Sequence, residues 1–121
     1  MLFICIGLGG FLGAIARYSV SLALPLDGPF PWATLFVNVL GCFLMAIAAF
    51  FKHLVPETFF LFFVPGFLGA FTTFSAFGIE TFRLMQNQQW SLVAMNVAAN
   101  LFLGLGAIGL VYFLLSKTNP S

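Results

Sequence analysis

The chain has 121 residues, of which 62% are hydrophobic and only 6% charged, and its formal net charge is +1. Soluble domains carry about a quarter of their residues as charged side chains, so this composition excludes one. The 18 phenylalanines bring more apolar surface than one small core can hide, and predict an integral membrane protein that is nearly all helical, with the lipid bilayer and no nucleic acid as its surroundings.

Hydrophobic blocks at about residues 2 to 24, 31 to 52, 57 to 85 and 90 to 115 are expected to span the bilayer, in a single transmembrane domain covering residues 1 to 121. The first block lacks the basic leader of a secretion signal and is longer than the apolar part of one, so it is expected to be a mature helix. Pro25-Leu26-Asp27-Gly28-Pro29-Phe30-Pro31 forms the first linker, and Pro31 suits a helix start. Lys52 to Pro56 forms the second linker, where His53 is expected to be solvated. The third, Gln86 to Gln89, leads into Trp90 at an interfacial depth. Cys5 and Cys42 fall inside helices, where a cysteine acts as a small apolar residue.

Four spans place both termini on one side. Lys52 and Lys117 then flank one face of the membrane, and Arg17 and Arg83 the other. Orientation is normally set by an excess of Lys and Arg on cytoplasmic flanks, and two against two gives no excess. Both orientations are therefore expected, and the simplest assembly is an antiparallel dimer with its two-fold axis in the membrane plane. Gly9 with Gly13, Gly66 with Ala70, and Gly104, Gly106 and Gly109 supply small surfaces for close helix packing, within or between subunits.

The third block is the unusual one. A straight helix from Glu57 to Met85 would run roughly 40 Å against a hydrocarbon core of about 30 Å. Pro65, Gly66 and Gly69 put a weak point near its middle, and favour an interruption over simple tilt. Irregular backbone at bilayer depth persists only where it is buried or lines a cavity, so an ion site is expected there.

The polar residues inside the spans are few. Asn38 must face protein or a water-filled path, as interhelical glue or as a pore donor. Asn96 and Asn100 share a helix face and offer the same two readings, with structure favoured for Asn96. Phe74 and Phe77 are spaced to share one side of a helix. Most such rings face lipid or core, but a positive ring edge can also meet an anion without trapping it. Thr72, Thr73 and Ser75 add hydroxyls beside them. Glu80 and Arg83 are spaced to pair at the interface. Arg17 either snorkels or draws anions into a vestibule.

No acidic residue lies near the middle of a span, and neither a nucleophile with its base nor a His/Cys cluster is present. The sequence therefore points away from an enzyme. It also points away from small multidrug-resistance exporters, the competing dual-topology class, because proton-coupled export relies on an intramembrane carboxylate. A structural membrane subunit with no pathway of its own is a third reading.

Three stretches carry a resemblance across nearly the whole chain: Gly9-Gly10-Phe11-Leu12-Gly13-Ala14-Ile15-Ala16-Arg17-Tyr18, Ala33-Thr34-Leu35-Phe36-Val37-Asn38-Val39-Leu40-Gly41, and Gly66-Phe67-Leu68-Gly69-Ala70-Phe71-Thr72-Thr73-Phe74-Ser75-Ala76-Phe77. They resemble the Fluc/CrcB family of fluoride channels. The resemblance implies an antiparallel, dual-topology homodimer with two pores, passing fluoride passively out of the cell across the bacterial inner membrane. It also implies that Phe74 and Phe77 are the aromatic pair of each pore, Asn38 the pore asparagine and Ser75 a polar-track hydroxyl. Thr73 and Asn100 complete the candidate pore set, with Arg17 in a vestibule. A structural sodium ion, not transported, is implied at the dimer centre on the backbone carbonyls of Gly69 and Thr72. Ala76 departs from the pattern, since many relatives carry a hydroxyl there, so the polar track is expected to be thinner.

Overall fold

The computed structural model describes residues 1–24 and 27–118. Pro25 and Leu26 of the first linker lie outside the described residues. Among the described residues the chain is all helical, and four helices are long and apolar enough to cross a membrane: Leu2–Ala23, Trp32–Phe50, Glu57–Gln86 and Trp90–Thr118. We label the first two α1 and α2. A single 3-10 turn, Lys52–Leu54, separates α2 from the third span.

The third span is made of several pieces. It opens with α3 (Glu57–Leu61), widens into π-helical turns over Phe62–Leu68, tightens again in α4 (Gly69–Phe71), and resumes as α5 (Phe74–Gln86). The sequence puts the weak point at Pro65, Gly66 and Gly69, and the structure moves it. Around Pro65 the chain stays wound. Proline lacks an N–H and crowds the carbonyl four residues back, and a wider turn accommodates both defects. The residues that leave helical geometry are Thr72 (φ −85°, ψ 156°) and Thr73 (φ −151°, ψ 121°).

The fourth span repeats the widening once. Its α6 (Trp90–Ala98) passes through π turns at Ala99–Leu103, which contain Asn100, into α7 (Gly104–Thr118).

Small residues let α1 and the third span touch backbone to backbone. A Cβ on Gly9 would overlap the Phe62 carbonyl oxygen, and one on Gly13 the Phe67 carbonyl oxygen. From the other side, a Cβ on Gly66 would lie 3.1 Å from Gly9 Cα. The Gly9/Gly13 and Gly66 surfaces thus pack against each other within the chain. Along the same span the rings of Phe59, Phe63, Phe67 and Phe71 stack one helical turn apart, with successive centroids 6.0, 5.8 and 5.6 Å apart. Leu68, Val37 and Asn96 are the innermost large side chains. Most other large apolar side chains are exposed, including Phe3, Phe11, Phe82, Phe102 and Phe113. An apolar belt of that extent suits contact with lipid.

Candidate functional site

The site is built on the two extended threonines. Thr73 is the residue before α5, so its carbonyl can still serve the first turn of that helix, but its N–H has lost its helical partner, and Asn38 of α2 supplies one. The Asn38 Nδ2 donates to Thr73 O (3.1 Å) while its Oδ1 accepts from Thr73 N–H (2.9 Å), a two-point clasp on one residue. The remaining Nδ2 hydrogen goes to Asn100 Oδ1 at 3.0 Å. Asn38 therefore joins the second, third and fourth spans at the place where the third loses its winding.

Thr73 also starts the next helix. Its hydroxyl accepts from Ala76 N–H (3.1 Å), an N-cap that satisfies a donor left open by the first turn of α5. Ser75 Oγ lies 3.4 Å from Thr73 Oγ1 and is exposed. Thr72 turns its hydroxyl back to Leu68 O (3.0 Å), and its methyl occupies the space a side chain on Gly41 would need.

The side-chain bonds to Thr73 N–H and Ala76 N–H free two carbonyls from their usual donors. In an unbroken helix, Thr73 N–H would bond Gly69 O and Ala76 N–H would bond Thr72 O. Here those donors go to Asn38 Oδ1 and Thr73 Oγ1 instead. Gly69 is exposed, and Thr72 is partly so. Among the described residues no group of three or more His, Cys, Asp or Glu could hold a metal ion.

Beside the clasp opens a cleft of about 480 Å³, bordered by Asn38, Thr72, Thr73, Phe74, Phe77 and Asn100, with Cys42 and Met45 on its apolar side. Phe74 and Phe77 lean together with centroids 5.7 Å apart and planes at 46°. Phe74 is 83% exposed, so its ring projects away from most of the chain. The structure therefore brings Asn38, Thr73, Phe74, Phe77 and Asn100 to one cleft, with Ser75 next to it through Thr73.

Arg17 lies elsewhere. Its Nε donates to Ala70 O (3.1 Å), at the C-terminal end of α4 where a cation is favoured by the helix dipole. It borders a smaller pocket of about 120 Å³ with Tyr18, Thr34, Thr73 and Glu80. The expected Glu80–Arg83 pair is absent. Glu80 Oε1 instead accepts from Thr34 Oγ1 of α2 (2.9 Å), and its Oε2 is buried without a hydrogen-bond partner among the described residues. Arg83 is exposed, where water competes for it.

Sequence reasoning missed two side chains. Thr81 is buried and bonds both Phe77 O (2.6 Å) and Asn96 Nδ2 (2.9 Å), and Thr34 holds Glu80. The available signal was their helical register: Thr34 sits one turn before Asn38, and Thr81 one turn after Phe77.

Comparison with known proteins gives this arrangement a family. The model described as "CrcB-like protein, Camphor Resistance (CrcB)" matches residues 4–112. A protein of Saccharophagus degradans named fluoride-specific ion channel FluC is 43% identical, covering 97% of this chain and 91% of its own length. Proteins with the same name are 44% identical in Magnetococcus marinus, over 81% of this chain and 84% of the relative, and 41% identical in Methanococcus maripaludis, over 88% and 87%. With a family match over most of its length and relatives this similar from end to end, the chain belongs to the CrcB family.

Proposed function

We propose that this multi-pass membrane protein is a fluoride-selective ion channel, not an enzyme, through which fluoride leaves the cell passively. The relatives' name supports fluoride as the ion. The observation that carries a route through this chain is the cleft where Thr73 and Asn38 meet the rings of Phe74 and Phe77. Fluoride is small and strongly hydrated, so its route must replace water with other donors. Hydroxyls of Ser75 and Thr73 and the ring edges of Phe74 and Phe77 provide them, with Asn38 and Asn100 as the polar wall. Contacts of this kind are individually weak, which lets an ion leave as readily as it enters.

The working unit in this reading is an antiparallel homodimer in both membrane orientations, placed in a bacterial inner membrane and carrying two such routes. Balanced Lys and Arg flanks support it, as does the outward projection of Phe74. The third span is broken at Thr72–Thr73 within the bilayer. A structural sodium ion at the two-fold axis fits the carbonyls of Gly69 and Thr72, since their usual N–H partners are engaged by side chains. The ion would supply fixed positive charge that holds the two third spans together. Arg17 would gather anions at the vestibule.

Reconstitution in liposomes loaded with potassium fluoride, with a potassium ionophore to dissipate voltage, tests the reading. A fluoride electrode should record rapid efflux from the parent and efflux slower by about tenfold or more from Phe77→Ile. Absence of efflux from folded parent protein would overturn it.

A further inference from the structure

The clasp on Thr73 is one end of a longer chain of hydrogen bonds. Thr73 N–H donates to Asn38 Oδ1 (2.9 Å), Asn38 Nδ2 to Asn100 Oδ1 (3.0 Å), and Asn100 Nδ2 to Asn96 Oδ1 (3.0 Å). Asn96 Nδ2 then donates to Thr81 Oγ1 (2.9 Å), whose own proton goes to Phe77 O (2.6 Å). Every link points the same way. The chain leaves the third span at a peptide N–H and returns to the same span at a peptide carbonyl.

Neither end can be reversed, because an amide N–H only donates and a carbonyl only accepts. Thr81 transmits that constraint. With its single proton on Phe77 O, its oxygen can only accept, so Asn96 must offer its NH2 end. Asn96 then shows Oδ1 to Asn100, Asn100 offers its own NH2 end in return, and its Oδ1 receives Asn38. A carboxamide has two unlike ends, so one fixed orientation fixes the next. Asn96 is fully buried and Thr81 is buried, and neither borders the cleft.

We propose that Thr81 and Asn96 are positioning residues for the ion route: they set which end of Asn100 and Asn38 faces each neighbour, and through Asn38 they hold Thr73 in place. This rests on the reading of the cleft as the fluoride path. One consequence concerns the donors. A carboxamide nitrogen has two hydrogens. Those of Asn38 go to Thr73 O and Asn100 Oδ1, and those of Asn100 go to Asn96 O and Asn96 Oδ1. The locked amides have no hydrogen left for an anion. Thr73 and Ser75 hydroxyls share at most one proton between them, so the other is free to solvate the ion. Amides build the wall, and hydroxyls meet the fluoride.

The test uses Thr81→Val, which keeps the shape and removes the hydrogen bonds, and Thr81→Ser, which keeps the hydroxyl. Side-chain amide hydrogen exchange of asparagine-labelled protein in micelles is read alongside fluoride efflux. Thr81→Val should speed exchange at the Asn100 and Asn38 side chains and lower efflux about tenfold, while Thr81→Ser restores both. Parent-like amide exchange in Thr81→Val overturns the proposal, as does an equal fall in efflux for both variants. If Thr81→Val does not fold, Thr81→Cys, whose thiol is a weak partner, carries the same comparison. A parent protein that does not conduct fluoride overturns the functional reading, and the exchange data still decide the positioning claim.

Discussion

The third span departs from regular α-helix in two ways, and the two places differ in what replaces the lost hydrogen bonds. Around Pro65 the π turns keep the backbone wound and bring its peptide groups against Gly9 and Gly13. At Thr72 and Thr73 the backbone is extended: Thr72 N–H still reaches Leu68 O, but Thr73 N–H goes to the side chain of Asn38 from another helix, and the Thr73 hydroxyl takes the N–H of Ala76. A loosened turn is self-sufficient and makes a packing surface. An extended pair depends on its neighbours and releases carbonyls for another use. In a low-dielectric setting the second arrangement is the more fragile, and it is where the polar residues gather.

Substitutions on the two sides should separate these roles. The largest effect is expected for Asn38→Leu, which strips Thr73 N–H and Asn100 Oδ1 of their partner. An unsatisfied peptide N–H and an unsatisfied side-chain carbonyl cost about 2–6 kcal/mol together, so thermal unfolding in detergent should shift strongly and efflux should vanish. A parent-like melting curve would show that water or a rearranged backbone replaces Asn38. On the other side, Gly13→Leu should cost about 1–3 kcal/mol or prevent folding, because its side chain meets the Phe67 carbonyl. Gly106→Leu, where the same space is open, should unfold like the parent.

Ring substitutions should divide by region rather than by residue type. Phe74→Ile or Phe77→Ile should lower fluoride flux by about tenfold or more without unfolding the protein, as expected for losing a contact worth about 1–2 kcal/mol. Phe63→Leu, in the stacked ladder, should lower stability and leave the flux per folded channel within about twofold. Equal flux losses at Phe63 and Phe77 would erase the distinction. The smallest effect is expected at the cap: Thr73→Ala should cost about 1 kcal/mol in an unfolding experiment, and Thr73→Ser almost nothing.

Much of this was legible in the sequence because it is local. Long apolar runs separated by turn residues give the four membrane-capable helices, and the spacing of Asn96 and Asn100 places them on one face. The position of the irregular backbone was not legible. Pro65, Gly66 and Gly69 are the conspicuous helix breakers, yet the chain stays wound there, because a π turn absorbs the proline. Thr72 and Thr73 carry no comparable local signal, and what holds them extended is Asn38, 35 residues away. Thr81 was missed for a related reason. A helical threonine commonly bonds its own preceding turn, as Thr81 does with Phe77 O, and the bond from Asn96 is tertiary. Glu80 shows the same limit, since its spacing suggests Arg83 while packing gives it Thr34.

The ion itself is tested most directly by fluoride and chloride efflux from matched liposomes holding the parent protein. Fluoride should leave rapidly while chloride stays almost entirely inside. If the two anions escape at similar rates, the donors and rings beside Thr73 do not select, and the pathway described is not a fluoride channel.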